Sequence, residues 1–215
     1  MLKITGLKAA RSREKRINVL LDGRPVLDLL AEVAVKESLK VGQELTETRL
    51  EALADLDRYQ RCLNAAVRFL GYRPRSESEI RQRLFKRGFA NTDIEKTLAR
   101  LKEQGLIDDA SFARFWKDNR ESFSPRSRRL TGLELRRKGL ADDIIGPVIG
   151  EIDESASAYR AAFTKARRLP LSDYQLFRRR LGAYLGRRGF GYEIINRTVE
   201  RLWEERGGKK AYKLH

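Results

Sequence analysis

Leu84-Phe85-Lys86-Arg87-Gly88-Phe89 returns as Leu135-Arg136-Arg137-Lys138-Gly139-Leu140, and again as Leu185-Gly186-Arg187-Arg188-Gly189-Phe190. The three glycines stand 51 and 50 residues apart. Six residues beyond each lie Ile94, Ile145 and Ile195; ten beyond lie Leu98, Ile149 and Val199; thirteen beyond lie Leu101, Ile152 and Leu202. Apolar residues at steps of three and four form one stripe of a helix. Each copy therefore reads as a basic amphipathic helix, a glycine stop and a second amphipathic helix. Glycine suits the stop because the left-handed conformation that ends a helix penalises a Cβ. Repetition at such a period marks stacked helical units, and here the charge repeats along with the core.

Around this repeat the chain falls into six segments. Residues 1–45 read as a β-hairpin plus helix module. Ile4-Thr5-Gly6-Leu7 and Arg16–Leu21 have β-like character, Asp22-Gly23 is a type I′ turn signal, and Arg24–Asp28 is the return strand with Pro25 suited to an edge. Ile4, Val19 and Leu21 are expected to lean on a helix over residues 29–38, which Gly42 follows. Residues 46–58 read as a connecting helix opened by Thr46, with the pattern running on into residues 59–70; whether residues 55–58 break it stays open. Three three-helix repeats follow at 59–107, 108–152 and 153–206, and a basic tail at 207–215. Ser76-Glu77-Ser78-Glu79 and Thr92-Asp93-Ile94-Glu95 read as capping boxes. Ser124-Pro125 reads as an N-cap followed by proline, and residues 172–188 as a helix. Ile80, Leu84 and Phe85 are expected on one apolar stripe; the phenylalanines in general are assigned to the core. The expected fold is mainly α: tandem three-helix repeats, three units in an elongated arc, with a small N-terminal β-hairpin-containing module.

The chain of 215 residues has 46 basic and 30 acidic residues, a net charge of +16. Such a balance points to nucleic acid or acidic protein partners. It is uneven: residues 59–107 and 153–206 hold most of the excess, while residues 108–152 carry 9 cations against 8 acids. The single cysteine, Cys62, reads as a small core residue and excludes an intramolecular disulfide. No apolar run resembles a signal peptide or a membrane span, so a cytoplasmic location is expected.

No catalytic constellation emerges, and neither an enzyme activity, a cofactor nor a metal is expected. The one histidine is His215 at the end of the chain. Asp108-Asp109 and Asp142-Asp143 sit at helix starts, where capping and the helix dipole account for them better than metal binding. The functional signal is the cations. In the first repeat they are Arg73, Arg75, Arg81, Arg83, Lys86 and Arg87; in the second, Arg126, Arg128, Arg129, Arg136, Arg137 and Lys138; in the third, Arg178, Arg179, Arg180, Arg187 and Arg188. Cations before a helix-ending glycine are favoured by the dipole alone. The preference for arginine over lysine, with few acids on the same helices, points further, to phosphates or carboxylates.

The stretch Tyr72-Arg73-Pro74-Arg75-Ser76-Glu77-Ser78-Glu79-Ile80-Arg81, running on to Lys86-Arg87-Gly88-Phe89, resembles the RecX family of recombination regulators. Asp108-Asp109, Phe112-Ala113, Trp116, Arg120, Pro125 and Glu134 to Gly139 follow in the family's order, with Ser127 where many members carry glycine. Arg187-Arg188-Gly189-Phe190 agrees more loosely. The resemblance implies a non-enzymatic modulator that lies in the groove of the RecA–DNA filament and reduces ATP hydrolysis, strand exchange and filament growth, in recombination, DNA repair and the SOS response. It implies RecA as partner, with direct contact to single- or double-stranded DNA in some members; a monomer is expected. The rival reading is a helix-turn-helix-like DNA- or RNA-binding protein that acts without RecA.

Overall fold

A computed structural model describes residues 2–10 and 15–208, so His215 and the three lysines of the tail lie outside the described residues. The first element is a sheet. Strands β1 (Leu2–Ala9), β2 (Arg16–Leu21), β3 (Arg24–Leu30) and β4 (Glu44–Leu45) pair antiparallel in the order β3-β2-β1-β4. The Asp22-Gly23 turn has φ of 48° and 85°, the two positive values a type I′ hairpin needs. Pro25 lies on edge strand β3, where its missing N–H costs no ladder bond.

The sheet is larger than the hairpin read from the sequence. Two strands alone are marginal in water; β1 and β4 extend the face that buries Ile4, Val19 and Leu21 against Ala34, Leu39 and Leu53. The helix expected over 29–38 is shorter. Leu29 and Leu30 pair with Ile17 and Arg16 and belong to β3, and α1 runs only over Ala31–Lys36.

Helix α2 (Glu47–Leu70) is continuous and is opened by Thr46, whose hydroxyl accepts from the Arg49 N–H at 3.2 Å. Residues 55–58 contain no break. Asp57 lies there, buried, and fastens the helix to the sheet. Its carboxylate accepts from the Leu30 N–H at 2.6 Å and from Arg16 at 3.3 Å, while Arg16 also holds Asp28 at 2.7 Å. A buried charge is tolerated when it is paired in this way. The first half of α2 thus closes the sheet's core and the second half supplies Cys62 and Ala66 to the core of the first repeat.

That core is completed by α3 (Glu77–Phe85) and α4 (Asn91–Glu103). The second repeat is α5 (Asp109–Phe123), α6 (Arg128–Arg137) and α7 (Asp142–Gly150); the third is α8 (Glu154–Arg167), α9 (Tyr174–Gly186) and α10 (Tyr192–Glu205). The chain divides into two compact units, Met1–Ile107 and Asp108–His215. Each repeat buries its own apolar set, with Leu84, Leu135 and Leu185 at 1 % exposure or less.

The three glycine turns share one geometry. Gly88, Gly139 and Gly189 have φ of 82°, 82° and 84°. Phe89, Leu140 and Phe190 donate their N–H to the carbonyls of Leu84, Leu135 and Leu185 at 3.3–3.4 Å, and each glycine N–H donates to the carbonyl three residues back at 2.8–2.9 Å. This is the Schellman motif, with its apolar contact between the residue after the glycine and the last buried leucine. The turn is short, so the next helix starts two residues after the apolar one. Ala90, Ala141 and Gly191 are the N-caps, without side-chain capping bonds. The capping box read at Thr92 is therefore displaced: α4 has already begun at Asn91.

Ser76 does cap α3, accepting from Glu79 N–H at 3.2 Å. Ser124 does not cap α6. It ends α5, and the chain stays extended through Pro125 to Ser127, whose hydroxyl caps Leu130 N–H at 3.1 Å. The reason is tertiary: Ser127 N–H donates to the Arg188 carbonyl at 3.0 Å, which docks this segment on the third repeat's glycine turn. The helix read from residue 172 likewise starts at Tyr174, capped by Asp173, which accepts from Gln175 and Leu176 N–H at 2.8 and 3.1 Å.

Gly189 is held twice. Its φ is left-handed, and a Cβ there would stand 2.6 Å from Ser127 Oγ and 3.0 Å from Leu130 Cβ; at Gly88 a Cβ would meet nothing. Gly88→Ala should cost about 1–2 kcal/mol, the left-handed penalty alone. Gly189→Ala should cost about 1–3 kcal/mol more, because the Ser127 segment must move. Urea unfolding of the two variants followed by circular dichroism checks the difference; equal losses would mean that the Ser127 contact carries no weight.

Candidate polyanion and partner interface

The structure sorts the candidate cations into those that hold the fold together and those left over. In the first repeat, Arg73 forks onto Glu79 with bonds of 3.1 and 2.9 Å. Arg75 lies 4.0 Å above the Phe69 ring, with Arg83 5.6 Å from the same ring. Burial, and then the charge of Arg73, draw the Arg75 pKa down. Arg81 pairs with Glu77 at 2.6 Å and with Glu95. Lys86 and Arg87 are exposed and have no ion pair among the described residues. Both sit where α3 ends, beside the partial negative charge of its carbonyls.

In the second repeat a buried carboxylate organises the site. Glu134, 9 % exposed, accepts from Trp116 Nε1 at 2.9 Å, from Arg120 Nε at 2.7 Å and from Arg126. Arg120 and Lys138 lie 4.6 and 4.8 Å from the Trp116 ring, a cation–π arrangement. Arg128 donates through Nε to the Ile152 carbonyl at 2.8 Å, and its backbone N–H donates to Glu154 at 2.9 Å. Arg136 pairs with Asp142 at 2.6 Å. Arg129 and Arg137 are exposed and unpaired among the described residues.

In the third repeat Arg178 donates to the Tyr192 hydroxyl at 3.1 Å and to Asn196 at 3.4 Å. The Asn196 hydrogen bond and the Arg178 charge lower the Tyr192 pKa. Arg188 stacks 4.0 Å over Tyr184. The remaining three, Arg179, Arg180 and Arg187, converge. With Lys165 from α8 they line a groove of about 370 Å³ floored by Leu169 and Ala183. None of these four has an ion pair among the described residues. Three of the candidate cations thus share this one groove.

The sequence reading missed Lys165, since it lies on a different helix from the arginines it joins. It also misplaced Phe85, which is 65 % exposed beside Lys86. Phe85 stands one residue past Leu84, about 100° around the helix, and so leaves the Ile80–Leu84 stripe. Phe123, at the end of α5, is 82 % exposed, so it too falls outside the core. Cys62 is fully buried, and burial pushes its thiol pKa up. Asp108 is the N-cap of α5: it accepts from Ala110 N–H at 2.9 Å and from the Ser111 hydroxyl at 2.5 Å, which keeps its carboxyl below the usual range. Asp142 and Asp143 fall in the first turn of α7. No helix among the described residues is long and apolar enough to cross a membrane.

Comparison with known proteins matches two stretches of the chain to family models. Residues 62–101 match the family model for the first three-helix domain of RecX, and residues 152–199 that for the third. A regulatory protein RecX of Prosthecochloris aestuarii is 37 % identical over 143 residues, covering 66 % of this chain and 94 % of that protein. One from Clostridium botulinum strain Eklund 17B is 29 % identical over 206 residues, covering 93 % and 96 %. The crystal structure of a regulatory protein RecX superposes with a TM-score of 0.69 at 22 % identity, over 93 % of this chain and all of that one. That of RecX from Lactobacillus salivarius gives 0.59 at 23 %, over 68 % and 97 %.

Glu134→Gln leaves two buried-side arginines facing a neutral amide. It should destabilise the second unit by about 3 kcal/mol, the scale of a broken buried ion pair. Asp55→Asn breaks only the exposed Asp55–Arg58 pair and should cost less than about 1 kcal/mol. Urea unfolding read by tryptophan fluorescence and circular dichroism distinguishes the two; a Glu134→Gln loss as small as the Asp55→Asn loss would remove the network from the account of stability.

Proposed function

The chain belongs to the RecX family of regulatory proteins, and from that premise we propose that it binds in the groove of the RecA–DNA filament and reduces RecA's ATP turnover, strand exchange and filament growth. The observation that carries the proposal is the groove between α8 and α9, where Lys165, Arg179, Arg180 and Arg187 converge without acidic partners among the described residues. Arginine forks suit both surfaces that a nucleoprotein filament offers, carboxylates and phosphates.

Arg129 and Arg137 in the second repeat and Lys86 and Arg87 in the first supply further uncompensated charge. Contacts from successive repeats to successive RecA subunits act multivalently, so weak single contacts sum to tight binding. Such bridging would hinder the subunit movements coupled to ATP turnover. On this reading the protein is cytoplasmic, non-enzymatic and active in recombination and DNA repair. The paired arginines, such as Arg73, Arg81 and Arg126, have a second role in holding the repeats, and their loss would act through stability.

The test is DNA-dependent ATP hydrolysis by the cognate RecA on preformed single-strand filaments, with this protein titrated below one per RecA. Inhibition at that ratio is expected. Arg179→Glu with Arg180→Glu should raise the half-inhibitory concentration about tenfold while leaving helical content unchanged. Unaltered inhibition by the folded variant would remove the groove from the contact surface. Inhibition reversed merely by adding free DNA, with a steep salt slope, would favour plain nucleic-acid binding.

A further inference from the structure

A second basic concavity lies in the first unit, and only one of its cations, Arg87, belongs to the set described above. A cleft of about 520 Å³ opens where the N-terminal sheet module meets the first repeat. Lys15 enters it just before β2, Arg61 and Arg68 from the polar face of α2, and Arg87 from the glycine turn after α3. Leu30, Ala31, Ala65 and Phe89 supply its apolar lining, and Asn64 and Glu32 line it as well.

The walls are fixed in place. The Ala31 N–H donates to the Lys15 carbonyl at 2.8 Å, which sets Lys15 against the start of α1. Leu30 is tied to Asp57 through its N–H at 2.6 Å, and Phe89 packs into the core of the first repeat. Arg61 and Arg68 are seven residues apart on one helix, two turns or about 10 Å along the axis. Among the described residues the one carboxylate lining the cleft, Glu32, is engaged by the Asn64 amide. None of Lys15, Arg61, Arg68 and Arg87 has an ion pair among the described residues. Four cations brought together from three segments of chain, against the single described carboxylate of Glu32, repel one another, and an anionic occupant relieves that repulsion.

We propose that this cleft is a docking site for a short acidic peptide of a partner protein, with its carboxylates on Lys15, Arg61, Arg68 and Arg87 and an aliphatic side chain on the floor. The floor decides between peptide and nucleic acid. A single strand is held by aromatic faces on which bases stack. Among the described residues the one ring lining the cleft, Phe89, is instead half-buried in the core. Leu30, Ala31 and Ala65 offer aliphatic carbon, which suits an apolar side chain flanked by acids. The site gives the sheet module a part in recognition, and it shares no residue with the groove between α8 and α9.

The experiment is fluorescence anisotropy with the full chain at low ionic strength. The probe is a short fluorescein-labelled peptide in which Glu and Asp alternate with Leu; its Gln/Asn counterpart and an oligothymidylate serve as comparisons. The acidic peptide should bind and the amide counterpart should not. Arg61→Glu with Arg68→Glu should weaken peptide binding about tenfold or more, whereas Arg179→Glu with Arg180→Glu should change it less than about twofold. Arg61→Gln with Arg68→Gln, milder substitutions at exposed positions, should give a smaller loss in the same direction at unchanged circular dichroism. No binding of the acidic peptide, or equal binding by the Arg61/Arg68 variants, would overturn the proposal. So would loss of oligothymidylate binding in those variants with peptide binding intact, which would make the cleft a nucleic-acid surface. RecA is absent from this measurement, so its outcome and that of the ATPase test are independent.

Discussion

The structure depends on a left-handed glycine followed by an apolar residue that has to be buried. At Gly88, Gly139 and Gly189 the positive φ lets the chain satisfy two carbonyls of the ending helix and turn back within three residues. The next residue, Phe89, Leu140 or Phe190, packs onto the leucine that closed the helix, and the following helix has no freedom in where it begins. The same turn accounts for the position of the charge. Cations collect immediately before each glycine because the carbonyl end of a helix favours them, so the basic surface inherits the period of the core.

What those cations do is decided one by one, by what lies opposite. Arg73 meets Glu79, Arg126 meets Glu134 and Arg136 meets Asp142. In the second repeat, near charge balance follows from acids placed to receive arginines, with Glu134 holding Arg120, Arg126 and Trp116 at one point. In the third repeat the excess is left uncompensated: Arg179, Arg180 and Arg187 join Lys165. A buried ion pair with one partner removed leaves a costly lone charge, whereas an exposed unpaired arginine is available to a new partner at little cost to the fold. The division between the two kinds is therefore also a division between stability and recognition.

Helix α2 gives the N-terminal module a comparable double use. Asp57 receives the Leu30 N–H and Arg16, locking the sheet to the helix at its midpoint. Beyond that point the same helix enters the core of the first repeat through Cys62 and Ala66. Its remaining face carries Arg61 and Arg68 into a cleft that neither module forms alone.

The sequence by itself determined the repeat, the glycine turns, the type I′ hairpin and most of the core, because these follow from local backbone preference and from apolar periodicity, which are written into neighbouring residues. It also placed the caps that depend on a side chain within three residues, as at Thr46 and Ser76. Only the tertiary structure decided the rest. Ser127 rather than Ser124 caps α6 because Arg188, some sixty residues on, offers its carbonyl to the Ser127 N–H. Leu29 and Leu30 are strand rather than helix because Ile17 and Arg16 lie beside them. Phe85 is exposed because it sits about 100° past the Ile80–Leu84 stripe. Above all, a sequence lists its arginines without their counter-charges. Which are neutralised and which remain open depends on residues far along the chain, brought within a few ångströms by packing.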